Sequence, residues 1–500
     1  LQDNSGTSGL FGRTREGAEM LNQTSSQFGS DLMSYSGGTD LLWRHQFAKK
    51  GRTLSVGGGA SINGSDGESN LLAENNFFTG NAQSDSVSQE STLNRKGYGL
   101  NGNIFYTEPI SEKGQINLTY NTSYTSTDSD KRTYSFTDSV YSGLNPLLSN
   151  TFVNTYFTQS VGTGYRYGGE KSSFMISARY QHAQLNNEQE FPATLQIKRT
   201  FQDVLPMAMF RHAFSKTENL RMFYRAGTNP PSAEQLQNVL NNSNPVVLSI
   251  GNPDLKQNYS HNLNLRYSKT TTEKSRTMMG ILGGNYTQKY VANQTFIADR
   301  DTVILGNISL PRGAQLTRPV NLDGQMNLRS FVSYGLPVSI GEAKSINVNT
   351  SLSADFGRTP GLINEQLNYA NTQNYSLGLV FSSNISQNLD FTLSSTSTQV
   401  YNKNTLRPQL NSEYFRQSFR LNFNYIFYKG FFVQTDVNHQ IYSGLAAGFD
   451  QNFTIWNARL GRKFFEDQRM ELSVSVFDIL GENDFLRGQS ICEILQNTLK

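Results

Sequence analysis

Residues 415–427 read Phe-Arg-Gln-Ser-Phe-Arg-Leu-Asn-Phe-Asn-Tyr-Ile-Phe. The odd positions are Phe415, Gln417, Phe419, Leu421, Phe423, Tyr425 and Phe427, apolar except for Gln417. The even positions from Arg416 through Ser418, Arg420 and Asn422 to Asn424 are polar. A period of two is the signature of a strand with one apolar and one polar face.

The same alternation recurs along the chain. Ile346, Val348, Thr350, Leu352, Ala354 and Phe356 interleave with Asn347, Asn349, Ser351, Ser353 and Asp355. Leu322–Tyr334 carries Asp323, Gln325, Asn327 and Arg329 on its second face, and Ile116–Tyr124 carries Asn117, Thr119, Asn121 and Ser123. Counting such runs predicts eighteen strands, near 41–49, 52–62, 98–107, 115–126, 153–168, 172–184, 202–214, 219–229, 259–270, 276–290, 318–334, 343–357, 372–382, 387–401, 413–428, 430–441, 453–464 and 469–480.

The connections alternate in length. Short turns, such as Lys49–Arg52, Gly168–Lys171, Gly335–Glu342, Tyr428–Gly430 and Phe464–Arg469, are separated by longer polar stretches. The long ones include Asn63–Gly97, Thr127–Phe152, Gly227–Asn258 and Val291–Thr317. Transmembrane barrels sort their connections this way, with tight periplasmic turns and long outer loops, whereas a soluble sandwich has no reason to. A strand needs about 9–11 residues to cross lipid, and most of the runs reach that length. The sequence therefore predicts an all-β chain, a large antiparallel transmembrane β-barrel. Residues 1–500 form one barrel domain, with 1–38, punctuated by Gly6, Gly9, Gly12 and Gly17, as an outer loop.

Composition agrees. Only 36% of residues are hydrophobic and 17% charged, with a mean hydropathy of −0.50, yet there are 32 Phe and 24 Tyr against 2 Trp. Two opposed faces average to such a value. Fifty Asn and 42 Gly disfavour helices. The balance of 43 Lys+Arg against 40 Asp+Glu excludes a nucleic-acid binder held by bulk phosphate attraction. A single cysteine, Cys492, excludes a disulfide framework and a cysteine metal site.

The most individual segment follows the eighth strand. It runs Tyr224-Arg225-Ala226-Gly227-Thr228-Asn229-Pro230-Pro231-Ser232-Ala233-Glu234-Gln235-Leu236 and continues to Gly251-Asn252-Pro253-Asp254-Leu255. Ser232 with Gln235 fits a capping box and predicts a short helix over 233–240. Gly251-Asn252-Pro253 is turn chemistry. The bland reading is an ordered loop with its re-entry turn; the sharper one is ligand contact.

Pro231, Ser232, Gln235 and Leu236, then Gly251, Asn252, Pro253 and Leu255, resemble the barrel region of TonB-dependent outer-membrane receptors. They resemble most the branch described as the outer membrane protein β-barrel family. Leu42-Trp43-Arg44-His45, Lys50-Gly51-Arg52-Thr53 and Val476-Phe477-Asp478-Ile479-Leu480 are similar to segments of that family. The resemblance implies a 22-strand barrel in the Gram-negative outer membrane. It also implies an N-terminal plug domain inside the lumen, a TonB-type energy-transducing complex acting through that plug, and a small or oligomeric nutrient as cargo. Outer-membrane lipid would surround the wall. Neither a plug nor an aromatic-ended final strand is read within these 500 residues, so the expectation is a barrel whose ends lie outside this chain.

Ten charges fall on the polar faces and are expected to point into the lumen: Arg179, Arg221, Arg225, Arg266, Arg329, Arg416, Arg420, Asp323, Asp355 and Asp390. They fit a solvated lumen or plug contacts, or a substrate-selecting ring. The acidic stretches Asp128-Ser129-Asp130 and Asp299-Arg300-Asp301 lack a full calcium ligand series. The five histidines are dispersed, with no Gly-x-Ser-x-Gly motif, so no catalytic residue, metal site or cofactor is predicted. A passive porin and a surface-binding barrel are the rival readings.

Overall fold

The computed structural model describes residues 2–16, 19–78, 85–242, 247–304, 308–341, 344–386, 388–445, 452–464, 470–482 and 492–496. The expected turn at 465–469 and most of the segment 480–500 lie outside them. The described residues form one 25-stranded sheet and a small two-stranded one. The wall is an antiparallel meander. Gln2–Glu16 pairs with Glu19–Gln46, and each later wall strand pairs with its predecessor as far as Met470–Val476. Cys492–Gln496 runs parallel to Gln2–Glu16, returning the end of the chain to its beginning. Every predicted run except 318–334, which is split, centres on one strand of this wall.

Two faces follow from the pairing register, because residues directly opposite each other in a ladder share a face. One row reads Val348, Phe381, Leu393, Leu421, Val437, Trp456 across six neighbouring strands. Leu393 is 43% exposed and Trp456 38%, so this row is open to lipid rather than packed in a core. Near the short turns the same face carries aromatic pairs. Trp43 stacks on His45, Tyr167 on Phe174 and Tyr425 on Phe427. Amphipathic rings at the membrane boundary satisfy both the hydrocarbon and the headgroup layer.

Three expectations are corrected. First, 1–38 is not a loop: Gln2–Glu16 and Glu19–Gln46 make a hairpin in which Gln2 faces Ser34 and Glu16 faces Glu19. Second, 63–97 and 127–152 are mostly strand. Thr53–Phe77, Asp85–Pro109 and Gly114–Thr137 are 25, 25 and 24 residues long, more than twice the lipid-crossing length. Above the membrane both faces are wet, so the polar run Ser61–Asn70 keeps its ladder bonds while losing its apolar alternation. Third, the run 318–334 is broken. Gln315–Leu322 pairs with Tyr290–Ile297 as a separate hairpin, and Gln325–Gly341 belongs to the wall. The break lies at Gly324, whose φ is +94°, beside Lys289 at +50°. Asp323 sits at that break, accepting from the Lys289 amide at 2.7 Å, and is not a wall charge.

The periplasmic turn 428–430 joins Ser412–Phe427 to Phe431–Ser443 through two left-handed residues, Lys429 and Gly430. A Cβ on Gly430 would collide with the Lys463 carbonyl oxygen. Gly430→Ala is therefore expected to cost about 1–2 kcal/mol, combining the left-handed strain with the clash. Urea titration of the folded barrel checks this, and an unchanged midpoint would refute it.

Candidate functional site

Buried apolar side chains form two clusters, both where the long outer segments pack on the upper ends of the wall strands. One cluster joins Ile250, Ala298, Ile308, Leu310 and Leu316; the other joins Leu185, Ile197, Leu236 and Leu255. Both enclose the segment 230–257, of which 243–246 lie outside the described residues. This segment leaves Glu218–Asn229 and returns into Asn258–Thr271, strands that pair directly with each other.

The motif residues explain how it is held. Pro231 precedes the helix Ala233–Leu236, which is capped by Ser232 and Gln235 in a reciprocal capping box. The helix is shorter than expected, because Gln237 leaves it with ψ 132° to meet Asn150. Leu236 and Leu255 are fully buried against Leu185 and Ile197. Gly251 lies against the helix backbone: a Cβ there would be 2.7 Å from the Glu234 carbonyl oxygen and 2.8 Å from the Gln237 nitrogen. The Asn252 backbone N–H donates to the Gln235 carbonyl at 2.6 Å, and its Nδ2 donates to the Pro319 carbonyl at 2.9 Å. Its Oδ1 accepts from Arg318 at 2.9 Å and from the Asp254 amide at 3.0 Å. Pro253 fixes the turn between them. Removing the cap by Ser232→Ala is expected to cost about 1 kcal/mol. Faster amide exchange at residues 235–237 is the readout, and unchanged protection would contradict it.

The segment spans the outer mouth. On one side Arg95 pairs with Glu234 at 2.8 Å, Asn242 Nδ2 donates to Gln89 at 2.9 Å, and Asn150 donates to Gln237. On the other, Val247–Ser249 runs parallel to Gln315–Thr317. Between them lies a cavity of about 640 Å³ lined by Gln89, Lys131, Asn150, Gln235, Gln237 and Asn241, among others. Gln237 is 2% exposed, and its Nε2 has no partner. The lining offers amide donors and acceptors with three charged side chains, Lys131, Glu68 and Glu234. Such a surface suits a polar, multiply hydrogen-bonding ligand. The Asn150–Gln237 contact joins residues 87 apart, so no local pattern announced it.

The wall charges are placed by register. Arg179 faces Leu205, Arg225 faces Met207, and Arg221 faces both Arg211 and Arg266. Arg266 faces Ile281; Gly283 faces Arg329, and Arg329 faces Asp355. The same face continues through Asn374, Val400 and Thr398 to Arg416, with Arg420 opposite Ser394 and Asp390 opposite Asn424. All the proposed wall charges except Asp323 thus share the face opposite the lipid row. They are not gathered into one ring. Arg329 Nε is 2.9 Å from Asp355 Oδ1, and Asp390 accepts from Ser383 at 3.2 Å. Arg211 escaped the sequence reading because its neighbours on that face, Met207 and Met209, look apolar. Of the acidic stretches, Asp130 is held by Arg132 and Thr151, and Asp301 accepts from the Arg312 amide.

A model of the outer membrane protein beta-barrel family matches residues 45–491. No curated protein matches the chain. Among solved structures, the copper transporter OprC is 9% identical, with 86% of this chain and 70% of that one covered, at a TM-score of 0.45. The Serratia marcescens hemophore receptor HasR is 10% identical, with 84% and 69% covered and a TM-score of 0.43. The siderophore receptor PirA from Pseudomonas aeruginosa is 11% identical, with 91% and 77% covered and a TM-score of 0.31. Nothing about cargo transfers at such distances. The family match spans nearly the whole wall whose two faces the register separates, and the chain belongs to the outer membrane protein β-barrel family of the Gram-negative outer membrane.

Proposed function

We propose that the chain is the barrel of a TonB-dependent receptor that takes up a polar nutrient. The observation carrying this reading is the mouth cavity: a segment held on both sides of the barrel builds a recess of mixed polar and apolar lining, with amide side chains and a buried Gln237 Nε2 that has no partner. A passive pore has no need of such a recess at its entrance. In this reading the recess captures cargo from outside, and the wall is the rigid frame. A plug inside the lumen, pulled by an inner-membrane TonB-type complex, would open the path. The reading assigns the chain no catalysis.

The test is a growth screen of a strain lacking this protein across nutrient sources. A defect on one nutrient class, reproduced by removing the energy-transducing complex, is expected. A defect that the complex does not reproduce would make the protein a passive porin. Ligand capture without any uptake defect would make it a surface-binding barrel.

A further inference from the structure

The lumen face of five adjacent strands is strongly one-sided in charge. Across Ser172–Phe191, Leu195–Ser215, Glu218–Asn229, Asn258–Thr271 and Arg276–Gln288, that face carries Arg179, Arg199, Arg211, Arg221, Arg225 and Arg266. The acid on the same face of these strands is Asp203, and it accepts from Gln257. Farther round the wall the same face carries acids among its bases, Asp355, Asp390 and Asp436 beside Arg329, Arg416 and Arg420, and Arg329 pairs with Asp355.

Within this patch three arginines form a direct cross-strand row. Arg211 faces Arg221 in one ladder and Arg221 faces Arg266 in the next. Opposed Cβ atoms in such ladders stand about 5 Å apart, and like charges there destabilise the sheet. Among the described residues none of the three has a salt bridge or side-chain hydrogen bond, and Arg225 above them has none either. Guanidinium groups are the side chains best suited to bind carboxylate or phosphate in a forked geometry. Three side by side on a concave wall present many donors to one side and no acceptor.

We propose that Arg211, Arg221 and Arg266 form an anion-binding row for a diffusible solute bearing several carboxylate or phosphate groups, a station below the mouth cavity. The row is a property of the wall alone and stands whether or not transport is energised. The same chemistry offered by an acidic protein surface filling the lumen is the alternative that the experiment separates.

The full-length protein is unfolded thermally in detergent with 10 mM citrate, about 10 mM being chosen to exceed a weak Kd severalfold, and in sodium chloride at matched ionic strength. Citrate is expected to raise the wild-type midpoint by roughly 2–4 °C over chloride. Arg221→Gln should raise the midpoint without citrate, by relieving like-charge contact, and reduce the citrate increment to under half. Arg221→Lys should keep most of that increment, and Arg329→Gln all of it. A citrate effect no larger than that of chloride overturns the proposal. So does an Arg221→Gln midpoint below wild type with citrate inert, which would assign the row to an acidic protein surface. A loss in Arg329→Gln equal to that in Arg221→Gln overturns it as well, because it would show general charge attraction.

Discussion

Leu393→Arg is expected to destabilise the barrel by about 2–4 kcal/mol, the cost of placing an arginine on the lipid face near the bilayer centre. Leu393 is the fifth residue of Leu389–Asn404, counted from the periplasmic turn, so it lies about halfway through a 9–11-residue crossing. On either side it faces Phe381 and Leu421, which leaves the guanidinium no polar neighbour within the row. Thr392→Arg is the matched control. Its side chain points to the other face, opposite Asn422 and Ser382, where water solvates the charge, and a cost within about 1 kcal/mol is expected. Urea titration of the barrel in lipid vesicles, read by tryptophan fluorescence, measures both. Trp456 is a reporter on the same outward row as Leu393. Equal costs for the two variants would show that the faces had been assigned wrongly.

The second large effect concerns the mouth cavity. Gly251→Ala places a methyl group against the Glu234 and Gln237 backbone, which has no room to retreat because Leu236 and Leu255 are fully buried. Overpacking of this kind costs about 1–3 kcal/mol. The strain falls on the segment and not on the wall, whose ladders do not depend on it. The expected result is a barrel with normal heat-dependent gel mobility whose residues 230–257 are cut by protease several times faster than in wild type. Under the proposed function, uptake in cells should fall with the loss of the recess. A segment as resistant as wild type would show that the close approach of Gly251 is dispensable.

The spanning part of the fold was readable because lipid and water impose opposite demands on alternate residues. Phe415–Phe427 and Ile346–Phe356 carry that contrast on their surfaces. Above the membrane the contrast disappears, and Thr53–Phe77 continues as a strand through a stretch with the composition of a loop. The site was legible in part. Ser232, Gln235 and Gly251 announced a capped turn and a tight re-entry, since those are local rules of backbone geometry. Asn252 looked like a simple turn residue, although it ties the helix to Arg318 and Pro319 some 66 residues away. Contacts between strands distant in sequence, such as Arg95 with Glu234 or Arg211 beside Arg221, depend on register, which the alternation of a single strand does not report.

The length of the outer strands has a mechanical consequence. With roughly ten of the 25 residues of Thr53–Phe77 inside lipid, the rest raise the rim about 35 Å above the bilayer at the usual tilt. The recess is thus built into a water-bathed turret. Its shape is set by its own two apolar clusters, as in a soluble domain, while the crossing segments below answer to the hydrocarbon. A thinner or thicker bilayer will tilt those segments and leave the geometry of the recess untouched.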